Sequence, residues 1–175
     1  LENTSAKEQF QALLNAVDQL ENTHIIFTKA NSDTDGRIIN QMIDEYVGNN
    51  KHKSVAFPSL GQLRYLSALQ YVDSVVGNSS SGIAEVPSFK KATINIGDRQ
   101  KGRLKAASII DCEPTQDAIQ NALVKACSKE FKTLLPSIVN PYGDGNASVK
   151  ILPVLKRNIQ IQDLKKSFFD INIVA

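Results

Sequence analysis

Val75-Val76-Gly77-Asn78-Ser79-Ser80-Ser81-Gly82-Ile83-Ala84-Glu85 runs an apolar strand into a glycine, a run of small hydroxyl residues, a second glycine and a helical start. That is the grammar of a βα unit. Outward from it, the same alternation repeats. His24–Thr28, Ser54–Phe57, Ser74–Val76, Ala92–Ile96 and Ser108–Cys112 are short apolar runs of strand length. Stretches of helical period separate them: Ser5–Leu20, Arg37–Val47 and Gly61–Tyr71 before the quoted unit, and Thr115–Cys127 after the last strand. Ser5-x-x-Glu8 fits a capping box, and Pro114 suits a first helical turn. A further helix is expected from Asn146 towards Leu155, bent or ended early by Pro153, and one more over Ile161–Phe169. Strands joined by helices of this length make parallel βαβ units, so the expectation is an α/β fold whose sheet is covered on both faces. The boundaries expected are one domain over 1–158 and a C-terminal helical extension over 159–175.

Composition narrows the function classes. The 175 residues hold 42% apolar residues, 20 basic and 18 acidic side chains, and a formal net charge of +2. That is enough apolar material for one core. It is not the balance of a nucleic-acid or membrane-surface protein, so any anion site is local. No apolar run reaches the roughly 20 residues of a membrane span. Leu1–Ser5 lacks the basic and apolar regions of a signal peptide. Cys112 and Cys127 form no CxxC pair, which suits a reducing cytoplasm and inert thiols. No His, Cys, Asp or Glu grouping has metal-ligand spacing, and the sequence calls for neither metal nor cofactor. Asn31–Gly36 lacks the downstream acidic ligand of a calcium loop and reads as an Asx-rich helix start.

In parallel sheets, ligands bind outside the carboxyl ends of the strands. That rule selects Ala30–Gly36, Pro58–Gly61, Gly77–Gly82 and Gly97–Arg103. In Gly77–Gly82, small residues, serine hydroxyls and a helix N-terminus would cradle a diphosphate; equally, Ser79–Ser81 would only turn the chain and cap a helix. Glu85 would accept from a ribose diol or complement the helix dipole. Arg99, in a loop with Lys101 and Arg103, would fork onto phosphate oxygens or lie solvated. Tyr65 would cover a base or belong to the core. Tyr142–Ala147 reads as a tight turn with an N-cap.

Taken together, these segments resemble the hydrolysing UDP-N-acetylglucosamine 2-epimerases of sialic and related nonulosonic acid biosynthesis. The resemblance rests on Gly77–Glu85, Ile94–Arg103, Tyr142–Ala147, Asn31–Arg37 and Leu60–Leu66, in that family's order and spacing. It implies a three-layer Rossmann-like domain, the C-terminal half of a GT-B type fold, with the N-terminal catalytic half not among these residues. It also implies nucleotide contacts: Ser79 and Ser80 with the diphosphate, Glu85 with the ribose, Arg99 with the leaving UDP, Tyr65 with uracil, Asn31 on the nucleotide side, and Gly82 at the start of the cradle helix. The family's acid and base residues have no counterpart here, so no catalytic residue is carried over and the isolated chain is expected to be inactive. The partner implied is a nucleotide sugar, UDP-N-acetylglucosamine or UDP, with no nucleic acid and no membrane; the parent enzyme is expected to be a cytoplasmic homo-oligomer. The donor-binding domain of a GT-B glycosyltransferase, and an epimerase acting on a UDP- or GDP-linked diacetamido-trideoxy sugar, remain alternatives.

Overall fold

A computed structural model describes residues 5–30 and 34–157. The elements follow one another as α1 (Ala6–Asp18), β1 (Ile25–Thr28), α2 (Thr34–Asn49), β2 (Ser54–Phe57), α3 (Gly61–Leu69), β3 (Ser74–Gly77) and α4 (Ser81–Ala84). A 3-10 turn (Val86–Phe89) leads to β4 (Ala92–Ile96), β5 (Ile109–Cys112), α5 (Gln116–Cys127) and α6 (Lys129–Leu134); a second 3-10 turn (Leu135–Ser137) precedes α7 (Ala147–Arg157). The chain divides into two compact units, Leu1–Tyr142 and Gly143–Ala175. The second unit contains α7, and the extension expected over 159–175 lies outside the described residues.

All strand pairings in the first unit are parallel. β1 pairs with β2, and β3, β4 and β5 lie side by side in that order, so the ladders form two groups rather than one continuous sheet. β4 shows why the fold is layered. Every one of its residues is buried. Alternate side chains of a strand point to opposite faces, and Ala92, Ile94 and Ile96 join one core cluster with Ile119, Ala122 and Leu123 of α5 and Val17 of α1. Thr93 points the other way, where its Oγ1 donates to the Gly82 carbonyl of α4 at 2.7 Å. Ile94 and Ile119 are fully buried; each such side chain contributes about 1.5–3 kcal/mol of transfer free energy.

Local chemistry sets most boundaries. The Ser5 hydroxyl accepts from Glu8 N–H at 3.3 Å, and Glu8 Oε2 accepts from Ser5 N–H at 2.9 Å, which completes the capping box of α1. At α5 the cap is Thr115, whose Oγ1 accepts from Ala118 N–H at 3.4 Å. Pro114 therefore precedes the cap instead of occupying the first turn. α2 begins earlier than its apolar periodicity indicates, with Asp35 in its first turn, where a carboxylate suits the helix dipole. Three elements have no counterpart in the sequence reading: the 3-10 turn Val86–Phe89, α6, capped by Ser128 Oγ on Phe131 N–H at 3.1 Å, and the 3-10 turn after it. Six residues are too few for a helical period to register. Pro153 does not end α7, which runs on to Arg157. Proline removes one backbone bond and leaves those on either side of it intact.

Candidate functional site

The quoted loop sits at the carboxyl end of β3, beside β4. Gly77 closes the strand with φ +145°, a conformation side chains rarely adopt. Beyond it the chain turns tightly: Gly82 N–H donates to the Ser79 carbonyl at 3.1 Å and Ile83 N–H to the Ser80 carbonyl at 3.0 Å. α4 is only four residues long. The helix expected here is present but short, and one turn carries little of the macrodipole of a full helix. Donors in this loop are local hydroxyl and amide groups.

Capping does not account for the serines. Ser80 occupies the N-cap position of α4, yet its side chain makes no cap hydrogen bond. Ser79 Oγ accepts from Ser81 N–H at 3.4 Å, a long bond. Ser79 and Ser80 are both exposed. Glu85 is at once the C-cap of α4 and the N-cap of the 3-10 turn Val86–Phe89, so the two helix ends act on its charge in opposite senses, and its side chain makes no cap hydrogen bond to that turn.

Glu85 instead takes part in a three-residue cluster. Ser81 Oγ lies 2.6 Å from Glu85 Oε2 and 2.5 Å from the phenol oxygen of Tyr65, which α3 brings from the preceding βα unit. Tyr65 is half-buried. Burial raises its phenol above the ordinary 10; the Ser81 hydroxyl works against that rise, and the negative charge of Glu85 works with it. The ring is thus neither core nor free surface, and its hydroxyl meets the loop.

Arg99 reaches the same loop. Its Nη1 lies 3.4 Å from Asn78 Oδ1. The adjacent Gln100 is 3% exposed and its Nε2 donates to the Asn78 carbonyl at 2.7 Å. Gln100 Oε1 has no hydrogen-bond partner among the described residues. Asn78 therefore staples the loop after β3 to the loop after β4. Gly82 acts from below: a Cβ there would stand 2.8 Å from Thr93 Cγ2, so this glycine seats α4 on β4. At the far end, Asn140 Nδ2 donates to the Ala84 carbonyl at 2.8 Å and to Ser88 Oγ at 2.7 Å.

Tyr65, Ser79, Ser80, Gly82, Glu85 and Arg99 thus belong to one neighbourhood, while Asn31 lies outside the described residues. The sequence reading passed over Ser81, Asn78 and Gln100. The spacing of Ser81 to Glu85, four residues across a helical start, is a legible signal of contact; nothing local signals the other two.

A separate hollow of about 320 Å3 lies at the ends of β4 and β5, between Gly97, Asp98 and Lys101 on one side and Lys105, Asp111, Cys112 and Glu113 on the other. Lys105 is paired with Asp111 at 2.7 Å, and Asn95 Nδ2 donates to the same carboxylate at 2.7 Å. With three carboxylates around it, the hollow is a poor place for an anion. Burial first, then Asp111 and Glu113, push the Cys112 thiol up to about 11, so it is protonated at neutral pH and no nucleophile. Among the described residues no group of three His, Cys, Asp or Glu side chains is placed to hold a metal, and no helix is long and apolar enough to cross a membrane.

The chain matches the protein family described as UDP-N-acetylglucosamine 2-epimerase over residues 1–156. It is 42% identical over 168 residues to a GDP/UDP-N,N'-diacetylbacillosamine 2-epimerase (hydrolyzing) of Campylobacter jejuni subsp. jejuni serotype O:2, covering 95% of this chain and 43% of that protein. It is 36% identical over 173 residues to the polysialic acid biosynthesis protein P7 of Escherichia coli, covering 98% and 44%. The chain thus spans less than half the length of these relatives. Among solved structures, the S. aureus MnaA–UDP co-structure superposes with a TM-score of 0.70 at 16% identity, over 94% of this chain and 45% of that one. That likeness shows the shared GT-B type α/β fold. Family match and relatives agree across nearly the whole chain: it belongs to the UDP-N-acetylglucosamine 2-epimerase family.

Proposed function

We propose that this chain is the nucleotide-binding part of a hydrolysing 2-epimerase that converts UDP-N-acetylglucosamine and water to UDP and N-acetylmannosamine. The observation that carries the reading is the meeting of Tyr65, Ser81 and Glu85 in a loop that Asn78 joins to Arg99. An aromatic ring, a carboxylate, exposed hydroxyls and a guanidinium in one loop cluster match the chemistry of a base, a ribose diol and a diphosphate. In this proposal Tyr65 lies against uracil, Glu85 accepts from the ribose hydroxyls, and Ser79, Ser80 and Arg99 hold the diphosphate. Asn31 adds a nucleotide-side contact, and Gly82 supports the loop from behind.

The reaction loses UDP first. The bond from sugar carbon 1 to the diphosphate oxygen breaks, its electron pair leaves with UDP, and carbon 2 loses a proton, giving a glycal-type intermediate. Water then adds its hydroxyl to carbon 1 and a proton returns to carbon 2 on the opposite face. The part played by this chain is electrostatic. Arg99 and the serine donors stabilise charge as it grows on the departing diphosphate, and contacts to uracil and ribose orient the bond that breaks. The acid and base that move the carbon-2 proton are assigned to a partner domain, and the whole enzyme is proposed to be a cytoplasmic homo-oligomer.

A second sugar is supported by the 42% identical Campylobacter relative: a UDP- or GDP-linked N,N'-diacetylbacillosamine. Titration of the chain with UDP, GDP and ADP separates the readings. UDP is expected to bind best, although weakly, because binding entropy must be offset by part of a cleft. A preference for GDP moves the substrate towards a GDP-linked sugar, and a preference for ADP overturns the base site.

A further inference from the structure

Ser81 has one proton and two close oxygens. Glu85 Oε2 lies 2.6 Å away and the Tyr65 phenol 2.5 Å away. An ionised carboxylate only accepts, whereas a phenol both donates and accepts. The arrangement that satisfies all three groups has Tyr65 donating to Ser81 Oγ and Ser81 donating to Glu85. Such a chain of hydrogen bonds strengthens each of its links.

We propose that Ser81 is a positioning residue for ribose recognition: by holding Glu85 Oε2 and being held by Tyr65, it turns the other carboxylate oxygen, Oε1, towards a 2′,3′-diol. The inference rests on the proposed nucleotide site. The Ser81 hydroxyl has no capping duty to explain its place: its hydrogen bonds run to Tyr65 and Glu85 side chains and to no backbone group of α4. Glu85 is exposed, and an exposed carboxylate samples several rotamers unless something fixes it. Fixing it before the ligand arrives removes a side-chain ordering cost from binding. The link to Tyr65 couples the ring that faces the base to the group that faces the sugar, although the two residues come from different βα units.

The test is a set of titrations of the full chain, by calorimetry or ligand-observed NMR, with UDP and with 2′,3′-dideoxy-UDP. Ser81→Ala is expected to weaken UDP binding about three- to tenfold and to leave dideoxy-UDP binding unchanged. Ser81→Thr, which keeps the hydroxyl, should bind UDP like the unmodified chain. Tyr65→Phe, which keeps the ring, should show a smaller loss with the same ribose dependence. In a Glu85→Gln background, Ser81→Ala should weaken UDP no further. A Ser81→Ala variant that binds both ligands normally, or loses both alike, overturns the positioning role while the nucleotide site stands. An unmodified chain that binds no UDP overturns the site and the positioning role together.

Discussion

A Cβ on Gly82 would stand 2.8 Å from Thr93 Cγ2, closer than real Cβ contacts come. Thr93 is 2% exposed on fully buried β4 and is bonded to the Gly82 carbonyl, so it has little room to withdraw. Gly82→Ala is expected to cost about 1–3 kcal/mol by overpacking, read as a lower urea midpoint. Thr93→Ser, which removes the methyl and keeps the hydroxyl, should restore part of that loss in the double variant. An unchanged midpoint for Gly82→Ala would show that α4 is not seated by this contact.

Ser80→Ala and Arg99→Ala should weaken UDP binding and leave the fold alone. Ser80 makes no cap bond, and Arg99 holds Asn78 only at 3.4 Å from an exposed position. Stability should change by no more than about 0.5 kcal/mol. Thermal melts alongside UDP titrations check both halves. A variant that melts much earlier has a structural residue at that position.

Glu85→Gln separates a binding role from a helix-dipole role without any ligand. Glu85 joins the C-terminal end of α4 to the N-terminal end of the 3-10 turn Val86–Phe89, so the two helix ends act on its charge in opposite senses. Neutralising it should therefore leave stability within about 0.5 kcal/mol. A loss near 1 kcal/mol in the urea midpoint would restore the dipole reading.

Cys112 supplies a pH signature. Its folded pKa is raised from the ordinary 9.0 to about 11, chiefly by burial. An acid whose folded pKa is raised contributes stability that is fully present below pH 9 and is lost as pH climbs through about 11. Iodoacetamide should therefore spare Cys112 at pH 8 and modify it steeply towards pH 11, with the exposed Cys127 alkylated first. Peptide mapping by mass spectrometry reads both sites. Rapid labelling of Cys112 at pH 7 would show that the strand end opens.

The isolated chain should release no UDP from UDP-N-acetylglucosamine at an ordinary enzyme rate, because its residues are assigned to binding and charge stabilisation and none to moving the carbon-2 proton. A coupled UDP-release assay checks this. Steady turnover would place the acid and base within these residues.

The sequence by itself determined the order of the five strands, each to within a residue or two, the capping box at Ser5 and Glu8, and the loop that carries Ser79, Ser80 and Glu85. Those features depend on residues close along the chain: period 2 or 3.6, a cap three residues from its partner, a glycine at a turn. Tertiary structure decided the rest. It ended α4 after four residues and so left Glu85 between that helix and the 3-10 turn after it. It brought the Tyr65 phenol to Ser81 across sixteen positions of sequence, buried Gln100 against the Asn78 carbonyl, and pressed Gly82 onto Thr93. None of these contacts repeats with a period. Each joins residues far apart along the chain that the parallel βα units bring together, and polar groups that leave water there must find partners.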